Sequence, residues 1–182
     1  MSLMVKEEKS GEPIPTGMQQ AVCAMVCDIG THRGEYEGRP TERRQVVVIW
    51  ELAEKKTQSD YAGQPFQASK FYSMSIGKKS KLRADIQSWR GVPFTEVELQ
   101  GFDLERLIGA NCFLNIVEDG GKRKIHAITP LAKGMTKIAA TIKTEPEWVG
   151  KMRSQSLEAQ GIKTASGSDA PPPHSEEDEL PF

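Results

Sequence analysis

The hydrophobic pattern along the chain changes period twice, and those changes divide the sequence into strands, a helical stretch and strands again. From Met18 to Ile29 an apolar-rich run holds Val22, Met25, Val26 and Ile29 and ends at Gly30. It leads into a polar stretch punctuated by Gly34 and Gly38, which predicts a strand followed by a loop over His32 to Arg43. Arg44 to Leu52 is a β-branched run with an aromatic and no breaker, the strongest strand signal in the chain. Residues 53–65 are polar and carry Gly63 and Pro65, as a loop does. Phe66 to Ile76 then predicts a third strand. Between Lys78 and Arg90 the apolar residues are Leu82, Ile86 and Trp89, spaced as one face of a helix. Gly91 suits its end and Pro93 blocks its continuation. Thr95 and Glu98 have the spacing of a capping box. Asp103 suits the cap of a short turn holding Leu104, Leu107 and Ile108 and closed by Gly109. Cys112 to Glu118 alternates as a strand, Asp119-Gly120-Gly121 is a hairpin turn signal, and Arg123 to Leu131 is the partner strand. Lys137 to Ile142 fits a short strand or a helix start equally well.

Three strands, a helix and two strands is the element order of a mainly β fold, a five-stranded OB-fold barrel with a helix between strands 3 and 4. An open α+β sheet has the same order, so the order alone leaves both. The divisions that follow are a flexible N-terminal arm over residues 1–17, an OB-fold domain over 18–143, a helical extension over 144–160 and a disordered acidic tail over 161–182. In the tail Ser, Gly, Pro and acids dominate, with Pro171-Pro172-Pro173 as a stiff spacer. Ordering such a segment costs about 1–2 kcal/mol per residue in backbone entropy, and it has little apolar surface to bury in return.

Charge changes this picture more in pieces than in sum. The formal net charge is -1, but residues 169–182 carry Asp169, Glu176, Glu177, Asp178 and Glu179 and no Lys or Arg. The tail therefore holds -5 and the rest of the chain +4. A mildly basic body with an acidic tail points to a polyanionic partner. No apolar run reaches the roughly 18 residues of a membrane helix, and the N-terminus lacks the apolar core of a signal peptide, so a cytoplasmic location is expected. Cys23, Cys27 and Cys112 sit in apolar runs, an odd number in strand-like surroundings, which predicts buried thiols rather than disulfides. Four residues apart in a strand, Cys23 and Cys27 are expected on one face. His32, His126 and His174 are scattered and, with the cysteines, form no metal-ligand grouping. No catalytic residues and no cofactor are expected.

Sequence-tolerant binding of a single strand needs cations for phosphates and flat rings for bases. The candidate nucleic-acid-binding residues fall in three regions. The first loop and the strand after it supply Arg33, Tyr36, Arg39, Arg43, Arg44 and Trp50. The third strand and the start of the helix supply Lys70, Phe71, Tyr72, Lys78, Lys79 and Lys81. The last hairpin supplies Lys122, Arg123 and Lys124. Tyr36 and Tyr72 are the favoured stacking rings, because a phenol with a polar tip tolerates exposure. Trp89 lies on the apolar helix face with Leu82 and Ile86 and reads as core. The candidate partner-binding residues are Asp178, Glu179, Leu180, Pro181 and Phe182, where an acidic stalk presents an apolar tip and a terminal carboxylate.

That tip resembles the C-terminal tip of bacterial single-stranded DNA-binding proteins, which end in several acids, an aliphatic residue and Pro-Phe. The body is similar to phage-encoded single-stranded DNA-binding proteins with an OB fold. The stretches that carry the likeness are Asp28-Ile29-Gly30-Thr31 with Tyr36-Glu37-Gly38, Lys79-Ser80-Lys81-Leu82-Arg83 followed by Trp89-Arg90-Gly91, and Asp103-Leu104 with Leu107-Ile108-Gly109. They span roughly residues 18–135. The resemblance implies single-stranded DNA binding without enzymatic activity, self-association such as a homodimer, and a tail that recruits replication, recombination or repair proteins in a bacterial host cell. The residues by themselves leave open an OB-fold RNA-binding or protein-interaction adaptor and, less well matched, a metal-dependent nuclease. The acids are spread along surface-like positions rather than gathered around a metal.

Overall fold

The protein is represented by a computed structural model that describes residues 11–163. Residues 1–10 of the arm and the tail from 164, including its Asp178–Phe182 tip, lie outside the described residues. The fold is mainly β. Five antiparallel strands, β1 (Gly17–Tyr36), β2 (Arg39–Lys55), β3 (Pro65–Ser73), β4 (Asn111–Asp119) and β5 (Lys122–Pro130), form one sheet in the order β3-β2-β1-β4-β5. The first part of β1 is shared: Ala21 and Val22 pair with β4 on one side and β2 on the other.

Both faces of the sheet's centre are buried, which explains the unbroken apolar run in β2. Val46, Val48, Trp50 and Leu52 face an inner core with Phe66, Ala68 and Tyr72 of β3 and Leu114 and Ile116 of β4. Val47 and Ile49 face an outer cluster with Cys27 and Ile29. Register shifts lie between Cys23 and Met25 and between Asp28 and Gly30. Each inserts a residue and reverses which face the following residues present. The first of them corrects the expectation for the cysteines: Cys23 points into the inner core and Cys27 into the outer cluster. All three thiols are buried and unpaired. Burial pushes Cys23 up to about 12. Burial, with help from nearby Glu145, pushes Cys27 up to about 11.

Two α-helices and a 3-10 turn fall between β3 and β4, while a further 3-10 turn, Ser59–Tyr61, precedes β3 and a third α-helix follows β5. Helix α1 (Lys81–Arg90) starts three residues later than the sequence predicts, because the Ser80 hydroxyl caps it by accepting the Arg83 N–H. Gly91 ends it in the left-handed conformation at φ 71°. Its Leu82, Ile86 and Trp89 enter the inner core. Trp89 also donates its indole N–H to the Asn111 carbonyl at 3.1 Å. Helix α2 (Glu96–Gln100) opens with the Thr95–Glu98 capping box. The short 3-10 turn Leu104–Leu107 is capped by Asp103, which accepts the Glu105 N–H at 2.9 Å.

After β5, residues 131–146 cross the outer face as a strap that is neither strand nor helix. Helix α3 (Glu147–Ser154) then packs Val149, at 0% exposure, with Trp148 and Met152 against the outer cluster. Burying such a side chain contributes about 1.5–3 kcal/mol. The turn beyond α3 docks on β1, where Leu157 N–H donates to the Thr31 carbonyl at 2.9 Å. Near the N-terminus Ile14 packs on the inner core. Glu12 accepts the backbone N–H groups of Thr57 and Gln58 at 2.9 and 3.1 Å. Among the described residues no helix is long and apolar enough to cross a membrane.

Candidate nucleic-acid interface

The stretch His32 to Arg43, expected as a loop, is a two-stranded ribbon. Strands β1 and β2 stay in register from Gly30↔Gln45 to Tyr36↔Arg39, past the last ladder partner of β3. The turn is the two-residue Glu37–Gly38, both at positive φ (50° and 75°), the hairpin type whose twist matches the strands. At about 3.4 Å per residue the ribbon reaches roughly 20 Å beyond the sheet. It is polar and exposed on both sides, so it carries no hydrophobic alternation, and its periodicity is visible only in the pairing.

That pairing sorts the ribbon's side chains onto two unlike faces. Cross-strand partners and alternate residues share a face. Thr31, Arg33 and Glu35 therefore lie with Arg44, Glu42 and Pro40. On this side the charges cancel: Arg33 pairs with Glu42 at 3.3 Å, and Arg44 pairs with Asp28. Burial of Asp28 opposes its ionisation, but the bonds from Arg44 and the Gly30 N–H outweigh it and hold the carboxyl below its ordinary range. The other face carries His32, Gly34 and Tyr36 with Arg43, Thr41 and Arg39 and has no carboxylate. Tyr36 is 55% exposed, and the Arg43 guanidinium lies 5.5 Å from its ring centroid. In β2 the positions alternate from Arg43 through Gln45 to Val47, so this face continues into the outer face of the sheet. There Phe71, paired with Val47, is 43% exposed and meets Trp148 of α3 edge-on at 6.0 Å. Tyr36, Arg39, Arg43 and Phe71 thus share one continuous face.

Two of the expected stacking rings are not available to a base. Trp50 is 0% exposed, because its alternation in β2 points it into the inner core against Trp89. Tyr72 is buried too, and its polar tip has a protein partner: the hydroxyl donates to Asp85 of α1 at 2.7 Å. Burial and that carboxylate push the phenol well above its ordinary range. Lys70 bonds the same Asp85 oxygen at 2.7 Å, which ties β3 to α1. Trp50, Lys70 and Tyr72 hold the core together behind the candidate face.

The remaining cations divide by position. Met74 N–H bonds the Arg44 carbonyl at 2.8 Å, so the turn bearing the exposed Lys78 and Lys79 starts near the root of the ribbon, and the exposed Lys81 follows at the first position of α1. Lys122, Arg123 and Lys124 belong to the β4–β5 hairpin, whose turn lies beyond the first residue of β1, at the opposite end of that strand from the ribbon tip. Arg123 pairs there with Glu118 at 3.0 Å and Lys124 with Asp119 at 2.6 Å. His32, Gln45 and Trp148, none of them among the sequence-predicted interface residues, share or flank the outer face. Trp148 carried a signal, since it is the one aromatic of a short helix whose Val149 and Met152 also pack on the outer cluster. No protein-family model matches the chain, and no curated protein matches it in sequence.

Proposed function

We propose that this chain binds and coats single-stranded DNA with little sequence preference during replication, recombination or repair. Bases stack on Tyr36 and Phe71, and phosphates lie against Arg39 and Arg43. The observation that carries the reading is the two-faced ribbon: one face is neutralised by ion pairs, and the other leaves its arginines and a ring uncompensated by any acid on that face. A surface arginine kept away from carboxylates is suited to a polyanion, because no internal pair must be broken to bind it.

The barrel belongs to the same proposal. A sheet in which β1 is shared by β2 and β4, with β3 and β5 as outer strands, has the order of an OB barrel opened along one seam. Gln67, Ala68 and Ser69 of β3 and Arg123, Lys124 and Ile125 of β5 line a common cavity of about 110 Å³, which is the approach such a seam requires. The acidic tip, Asp178 to Phe182, is proposed to recruit partner proteins on the strength of its sequence.

Trp148 is the reporter for a direct test. Trp50 and Trp89 are buried, whereas Trp148 flanks Phe71 on the outer face. Oligo-dT is expected to change tryptophan fluorescence saturably, more strongly than duplex DNA, and Trp148→Phe is expected to remove the change. No binding of oligo-dT by fluorescence or by filter retention at low salt overturns the proposal.

A further inference from the structure

Between Asp119 and Glu145 the chain has six Lys or Arg residues and no Asp or Glu. Three of the six, in the β4–β5 hairpin, have been placed above. The other three, Lys133, Lys137 and Lys143, lie on the strap and are exposed. The strap is held to the sheet through its main chain. Gln20 donates to the Thr136 carbonyl at 2.7 Å. Asn111 exchanges two bonds with Ile138, each 2.9 Å, as a strand neighbour would. Glu51 accepts the Thr141 N–H and hydroxyl, at 2.9 Å each, and the Ile142 N–H.

Gln20, Asn111 and Glu51 stand on β1, β4 and β2, in that order, and all three point to the outer face. The strap therefore runs across the strands on the side of the sheet that the ribbon face continues. Its anchors are backbone groups and the Thr141 hydroxyl, none of them a lysine, and the three lysine side chains are exposed. None of the three has an ion pair among the described residues. The acids nearest in sequence are already engaged, Asp119 by Lys124 and Glu145 by Arg153 at 2.7 Å. Glu51 beneath the strap is 2% exposed and capped by N–H groups.

Resting on the reading of the ribbon as a single-stranded DNA site, we infer that the strap is a second phosphate track. Lys133, Lys137 and Lys143 contact the backbone of the same strand that stacks on Tyr36 and Phe71. Bound DNA then crosses the outer face transverse to the strands instead of ending at the ribbon. The region read from sequence as an undecided strand or helix becomes part of the interface.

The test is a salt titration of oligo-dT binding by the full chain. Each phosphate neutralised contributes about 0.7 to the slope of log affinity against log salt. The Lys133→Gln, Lys137→Gln, Lys143→Gln triple variant is expected to lower the slope by about 2, with thermal unfolding unchanged because the backbone anchors remain. A control triple, Lys56→Gln, Arg106→Gln, Lys163→Gln, removes the same charge off the strap and is expected to leave most of the slope. A wild-type slope in the strap variant, or an equal loss in the control, overturns the inference while leaving the ribbon site standing. Absence of any oligo-dT binding by the unaltered chain overturns both.

Discussion

Replacing Glu51 by alanine tests how the strap is held. The carboxylate takes two backbone N–H groups, from Thr141 and Ile142, and the Thr141 hydroxyl. Alanine leaves both N–H groups without an acceptor. Such orphaned groups cost about 1–3 kcal/mol each, or about 2–6 kcal/mol together. Thr141 is exposed, so water can reach these groups once the strap lifts, and relief from burying a charge also offsets part of the loss. The expected destabilisation is about 2–4 kcal/mol. Glu51→Gln should be far milder. Its amide oxygen can face both N–H groups, while its nitrogen donates to the Thr141 hydroxyl oxygen, which accepts as readily as it donates. Only the charge assistance is lost, about 1 kcal/mol. Urea unfolding gives the two values, and hydrogen exchange at Thr141 and Ile142 shows whether the strap has lifted. Equal effects of alanine and glutamine, or protected amides in the alanine variant, would refute the clamp.

Two further predictions concern the turn beyond α3 and the thiols. Glu158 is held at about 2 by the hydroxyl and N–H of Thr31, well under its ordinary 4.5. A depressed carboxyl stabilises above its unfolded value and loses that contribution as pH falls toward the folded one. Protection of the Leu157 amide, taken relative to its intrinsic exchange rate at each pH, should accordingly fall between about pH 4.5 and 2, and Glu158→Gln should flatten the dependence; unchanged protection in the unaltered chain contradicts the contact. A thiol reagent at pH 8 should label the native protein slowly and all three cysteines at once after denaturation. Cys27, whose thiol is raised least of the two given values, should be the first to react in the native state; rapid native labelling of Cys23 or Cys112 would contradict their burial.

The order of elements along the chain, the α1 face and its glycine stop, the Thr95–Glu98 box and the Asp119–Gly121 turn were legible because each rests on local chemistry. The ribbon was not, because strands solvated on both sides have no apolar alternation, and Gly34 and Gly38 look like loop residues. Which face Trp50 takes was also hidden: Val46 to Leu52 is apolar throughout because the sheet is covered on both sides, so period 2 leaves no trace. Cys23 and Cys27 part company at a bulge that no residue type announces. Tyr72 was placed by Asp85, thirteen residues on, a pairing set by how α1 returns over β3. For the candidate site, the residue types were readable in the sequence, and the division between faces came only from the pairing.

On the proposed reading, the outer face of the ribbon, and not its inner face, meets the nucleic acid. Oligo-dT affinity across a salt series should be compared for Arg39→Gln/Arg43→Gln and Arg33→Gln/Arg44→Gln, which remove equal charge from opposite sides of one hairpin. The outer pair is predicted to lower the salt slope by about 1.4, at about 0.7 per phosphate, and the inner pair to leave it near the wild-type value. Equal losses from both pairs, or a larger loss from the inner one, would place the nucleic acid elsewhere than on the outer face.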